Sequence, residues 1–128
     1  MTYKISLLAL AVALLAACER AAPPPPDLAA EAQRIARESI IVDTHIDVPY
    51  RLVESAADVS QATDSGDFDY PRARAGGLDA AFMSIYTPAA LEADGKSFET
   101  AEELIDLVEN IVATSDGKFA IATSPADV

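Results

Sequence analysis

Cysteine and histidine are almost absent from this 128-residue chain, which has one of each, Cys18 and His45. A single cysteine excludes an intrachain disulfide and a cysteine-based zinc finger. Basic residues are also scarce, 9 against 21 acidic, for a formal net charge of −12. So acidic a surface repels nucleic acid and anionic lipid, which all but excludes binding to a phosphate backbone. Long apolar runs are lacking too: Ile5–Ala17 falls short of the roughly 18 residues that a bilayer-spanning helix needs. The chain has no internal repeat, no sign of a second domain, and too little length for a complete α/β barrel of ~250 residues. Hydrophobic residues make up 51% of it, but the leader supplies a disproportionate share, and the remainder has ordinary globular composition.

The leader reads as an address. Lys4, its only charge, precedes the apolar run Ile5–Ala17, the pattern of a secretory signal. Leu15-Ala16-Ala17-Cys18 resembles the bacterial lipobox, in which the cysteine is lipidated and becomes the mature N-terminus. Residues 1–17 are therefore expected to be a lipoprotein signal peptide and Cys18 the lipidation site; an ordinary cleaved signal with a chance cysteine is the plainer alternative. The expected location is a bacterial cell envelope, lipid-anchored on the outer face of a membrane, periplasmic or at the surface. Pro23–Pro26 follow, and because each ring fixes φ and removes a backbone donor, residues 18–27 are expected to be a stiff tether. A spacer is a better reading of this run than an SH3-type ligand.

Folded sequence is expected over residues 28–128. Asp27 suits the N-cap of a helix carrying Leu28, Ala32, Ile35 and Ala36 on one stripe. Ile40-Ile41-Val42 reads as a buried parallel strand, and Ala80–Tyr86 as a second, introduced by Gly76-Gly77 and stopped by Pro88. Ser55–Asp67, small and polar, reads as a loop. Between Ser97 and Gly117 lies the clearest helix, with Ala101, Leu104, Ile105, Val108, Ile111 and Val112 on its apolar face. Phe119–Ala122 reads as a third strand, and Ser124-Pro125 as a helix start. The pattern is that of an α/β fold with a parallel sheet. Three strands would leave a buried edge unpaired, so the chain is expected to be the front part of a longer protein.

The chemistry is concentrated in Asp43-Thr44-His45-Ile46-Asp47-Val48-Pro49. In extended backbone Asp43, His45 and Asp47 share one parity and point to one face. An imidazole and a carboxylate two residues apart can both reach one divalent ion, at ~2.0–2.2 Å for zinc, and ligands collect at the ends of barrel strands. A structural histidine bonded to a neighbouring carboxylate is the plain alternative.

Val42-Asp43-Thr44-His45-Ile46-Asp47-Val48-Pro49 resembles the first metal-binding motif of the membrane dipeptidase family (renal dipeptidase, peptidase family M19), whose pattern is Asp-Gly-His-Asn-Asp-Leu-Pro. Thr44 and Ile46 depart from it; the ligand types and the proline remain. The stretch from Pro71 to Pro88, with Arg72-Ala73-Arg74-Ala75-Gly76 and Phe82-Met83-Ser84-Ile85-Tyr86, is similar to the family's Pro-x-Leu-Arg-Ala-Gly…Gln-Phe-Trp-Ser-Val-Tyr segment. The two motifs, in the family's order, make the resemblance run from about Ser39 to Val128.

That resemblance implies the N-terminal portion of a (β/α)8 TIM-type barrel, incomplete in this chain, belonging to a metallodipeptidase that hydrolyses dipeptides by metal-activated water. It implies two zinc ions in the intact enzyme, with His45 and Asp47 matching the first two ligands. Tyr86 matches a tyrosine approaching the substrate's carboxylate end; a strand-end tyrosine with a buried ring is its plain alternative. Asp43 is open between an acceptor that orients a ligating histidine and a strand-end carboxylate in water. Arg72 and Arg74 are read as ion-pair partners only. The family's bridging glutamate and its other histidines lie on later strands. Since His45 is the sole histidine, and Glu92, Glu99, Glu102, Glu103 and Glu109 sit on a loop or a solvated helix face, no catalytic residue is assigned here and the 128 residues alone are expected to be inactive. The expected partners are a dipeptide, a membrane through the lipid anchor and, as one option, a second copy of the chain. Two rivals remain: another metal-dependent amidohydrolase, against which Asp47 argues because a second histidine stands there in such enzymes, and a non-catalytic acidic lipoprotein acting as a binding module.

Overall fold

In the computed structural model of the chain, residues 24–128 are described. The signal peptide and Cys18 lie outside the described residues. Pro24–Pro26 form no regular element and are exposed.

Asp27 opens helix α1 (Leu28–Glu38), its carboxylate accepting the N–H groups of Ala29 and Ala30 at 3.1 Å each. Arg34 clasps Glu31 and Glu38 one turn to either side. These local contacts hold α1, which buries none of its residues; the expected apolar stripe is present but lies largely in solvent.

Strand β1 (Val42–Ile46) pairs in parallel with β2 (Ala80–Met83), and the two make a two-stranded sheet. The chain between them passes through helix α2 (Val48–Glu54), a long loop and helix α3 (Tyr70–Gly76). Helix α4 (Ala90–Ala93), helix α5 (Ser97–Thr114) and a 3₁₀ turn (Pro125–Asp127) complete the described chain. The parallel α/β arrangement agrees with the sequence reading. The details differ. β1 starts at Val42 instead of ending there, so Asp43 to Ile46 of the motif lie within the strand; β2 stops at Met83, short of Tyr86. Val42 is 41% exposed, and among the described residues the sheet has these two strands alone.

Phe119–Ala122 is not a strand. Its start is tied back to the end of α5, where Ser115 accepts the N–H of Lys118 at its carbonyl and that of Phe119 at its hydroxyl, both at 3.2 Å. The Phe119 ring stacks on Phe68 at 6.2 Å and meets Tyr70 edge-on at 5.5 Å. An aromatic seat takes the residue that a ladder would have used.

The core is small. Val48 and Leu52 from α2 meet Val59 and Phe68 from the loop, flanked by Ile46, Met83, Leu107, Ile111 and Phe119. α5 presents Leu104 and Leu107 inward and leaves Ile105 41% exposed, a rotation of the expected face by part of a turn. The Ser55–Asp67 segment is a loop as read, yet Val59 within it is almost wholly buried. Four arginine contacts close that loop: Arg51 donates to the Ser65 carbonyl at 3.4 Å and the Phe68 carbonyl at 3.3 Å, and Arg72 to the Gly66 carbonyl at 2.6 Å and to the Thr63 hydroxyl at 2.8 Å. Asp69 sits beneath them, 1% exposed, accepting from Thr63 and Arg72 backbone N–H groups and from the Arg72 guanidinium at 2.8–2.9 Å. That guanidinium, aided by the two N–H groups, holds the Asp69 carboxyl far below the usual carboxylate range.

Candidate metal centre

His45 lies on β1, and Asp47 follows its carboxyl end as the N-cap of α2. An aspartate in that place ordinarily spends its carboxylate on the N–H groups of the second and third helical residues. Asp47 makes no such bond. Pro49, second in the helix, has no N–H to offer, so one of the two capping donors is missing by sequence. Asp27 caps α1 through two N–H groups, and Asp69, with Pro71 in the same second place, caps α3 through the Arg72 N–H alone; the corresponding Tyr50 N–H is a donor that Asp47 leaves unused. The uncommitted carboxylate of Asp47 faces the imidazole, with Oδ1 3.2 Å from His45 Nε2 and both side chains more than half exposed.

This donor pair fits a divalent ion. Two donors each ~2.0–2.2 Å from one ion, at an angle of about 100°, stand roughly 3.2 Å apart, and an imidazole nitrogen with a carboxylate oxygen is a donor set that zinc accepts. Among the described residues no group of three or more histidine, cysteine, aspartate and glutamate side chains is placed to hold a metal. The pair amounts to two donors, fewer than the four of a zinc coordination sphere.

The strand does not keep Asp43 in step with His45. The sheet is in register at Val42 with Ala80 and Asp43 with Ala81, and again at Ile46 with Met83. Three steps along β1 therefore match two along β2, an extra residue that puts Ile46 and not His45 in phase with Asp43. Asp43 does not act on the ring: its Oδ1 accepts the backbone N–H of His45 at 3.0 Å.

Tyr86 lies past the carboxyl end of β2, as Asp47 lies past that of β1, so the parallel pairing sets both at one end of the sheet. The Tyr86 ring is half-exposed and meets Tyr50 of α2 edge-on, centroids 5.0 Å apart at 89°. The charge of Glu54, one turn further along α2, raises the Tyr50 hydroxyl above its ordinary pKa, with smaller contributions from burial, a hydrogen bond to Glu54 and Tyr86. Tyr50 escaped the sequence reading because its partner is distant in the chain; the signal available was an aromatic immediately after the motif's proline. Arg72 pairs with Asp69, and Arg74 reaches Asp79 at 3.9 Å, both away from the motif in the chain.

Residues 29–128 match the family model described as membrane dipeptidase (Peptidase family M19). No curated protein and no solved structure gives a significant match.

Proposed function

The chain belongs to the membrane dipeptidase family, and on that premise we propose that it is the front part of a zinc-dependent peptidase cleaving dipeptides, with His45 and Asp47 as its first two metal ligands. The observation that carries this reading is the 3.2 Å approach of His45 Nε2 to Asp47 Oδ1 beyond a parallel strand, at the end where α/β barrels gather their ligands. In this reading β1 and β2 begin a (β/α)8 barrel, and the missing ligands and a bridging glutamate come from strands outside these 128 residues. The open faces of the two strands are then surfaces on which further strands and helices close.

Bound zinc supplies Lewis-acid polarisation of the peptide carbonyl and a water of lowered pKa. The chain's own residues do the rest of what is assigned here. His45 contributes a ring nitrogen and Asp47 an oxygen that no helix cap competes for. Tyr86, steadied by the edge of Tyr50, offers its hydroxyl to the carboxylate end of the dipeptide. Cys18, lipidated, anchors the enzyme to the outer face of a membrane, with the proline run as spacer.

In the protein carried through its later strands, His45→Ala and Asp47→Ala should each abolish dipeptide hydrolysis and lower bound zinc, while the 128 residues alone should show neither activity nor stoichiometric zinc. Full activity with normal zinc content in His45→Ala would overturn the metal assignment and leave a structural histidine.

A further inference from the structure

The ladder bonds on either side of the metal motif locate its irregularity. The Ile41 carbonyl accepts from the Asp79 N–H at 3.0 Å and the Ala80 N–H at 3.2 Å, and the Ile46 carbonyl from the Ser84 N–H at 2.9 Å. Counted from the Ala80 bond, the one in step with the Val42–Ala80 pairing, five steps on β1 span four on β2. A regular parallel pair advances by two residues on each strand between such bonds, so an odd count on one strand means an inserted residue, and the insertion falls between Asp43 and Ile46. Within that interval the His45 N–H is bonded to Asp43 Oδ1 at 3.0 Å. An aspartate side chain accepting the N–H two residues on is a local bond that competes with a strand ladder. Bulges re-aim side chains, and they gather beside active sites for that reason.

We propose that Asp43 is a positioning residue that acts through the backbone: by capturing the His45 N–H it holds the extra residue in β1, and the bulge turns the His45 imidazole toward Asp47. This rests on the reading of His45 and Asp47 as metal ligands, and it gives Asp43 a task different from orienting the ring through its other nitrogen. What the task requires is an acceptor oxygen at the right reach, not a negative charge. Asparagine keeps that oxygen, serine offers a weaker one from its hydroxyl, and alanine has none. The order Asp, Asn, Ser, Ala is therefore an order of expected function.

The test is residue-resolved amide exchange on the zinc-free protein, together with zinc affinity of the intact enzyme. Asp43→Asn should keep the His45 amide protected and zinc affinity within a few-fold of wild type. Asp43→Ala should speed His45 exchange at least ten-fold and weaken zinc by roughly 10–100-fold, the range for losing a partner that orients a ligand, with Asp43→Ser between. The α5 amides report on the fold as a whole and should not change; if Asp43→Ala does not fold, the Asn and Ser variants carry the comparison. Unchanged His45 exchange in Asp43→Ala or Asp43→Ser would overturn the proposal. So would Asp43→Asn losing zinc as Asp43→Ala does, since charge would then be the operative property. If instead His45→Ala binds zinc normally, the metal reading fails while the exchange result still decides the backbone role of Asp43.

Discussion

Gly77→Ala probes how the turn before β2 is built. Gly77 caps α3 with φ at 85°, its N–H bonded back to the last turn of the helix. A side chain at such a left-handed φ costs about 1–2 kcal/mol. A Cβ there would also lie 2.6 Å from the carbonyl oxygen of Ala36 in α1, and since that atom is backbone, either α1 or the turn must move. Overpacking of this kind costs about 1–3 kcal/mol, which brings the expected destabilisation to roughly 2–5 kcal/mol. Gly95 makes an internal control: its φ is 65°, and a Cβ there meets nothing within 4 Å. Gly95→Ala should therefore carry the backbone cost alone, about 1–2 kcal/mol. Urea unfolding of the intact protein followed by far-UV circular dichroism measures both. Equal losses for the two variants would refute the reasoning, because the approach of Ala36 would then carry no energy.

Three further outcomes are expected. The Asp69 carboxyl is held low by the Arg72 guanidinium and backbone N–H groups, so its stabilisation should be fully present above the unfolded aspartate value near pH ~4 and fade only as pH falls below that toward the folded value; Asp69→Asn should remove this acid dependence from a circular-dichroism titration, and an unaltered curve would contradict it. Tyr86→Phe keeps the edge contact with Tyr50 and removes a hydroxyl, so KM for a dipeptide should rise roughly ten-fold, the worth of a hydrogen bond of about 1.4 kcal/mol, with zinc content unchanged; lost zinc would mean that the tyrosine supports the metal site instead. Expressed in a bacterium, the wild-type protein should partition into detergent and Cys18→Ser into the aqueous phase, and equal partitioning would end the lipid-anchor reading.

Features settled within a turn or two of chain were legible in the sequence. α1 and its Asp27 cap, the long helix α5 and the 3₁₀ turn, with Ser124 and Asp127 bonding reciprocally, follow from caps and from apolar spacing, which act between residues three or four apart. The metal motif was legible as residue types in order. α2 and α3, seven residues each, are too short for periodicity to declare them. Three things depended on tertiary structure. Phe119 has strand-forming neighbours, but a strand needs a partner, and the rings of Phe68 and Tyr70 took it instead. Val59 is buried from within a polar loop because Leu52 and Phe68 meet there. Strict alternation placed Asp43, His45 and Asp47 on one face, whereas the register against β2 inserts a residue between Asp43 and Ile46. Side-chain direction along a strand is fixed only once its partner fixes the register, and that partner lies more than thirty residues away in the chain.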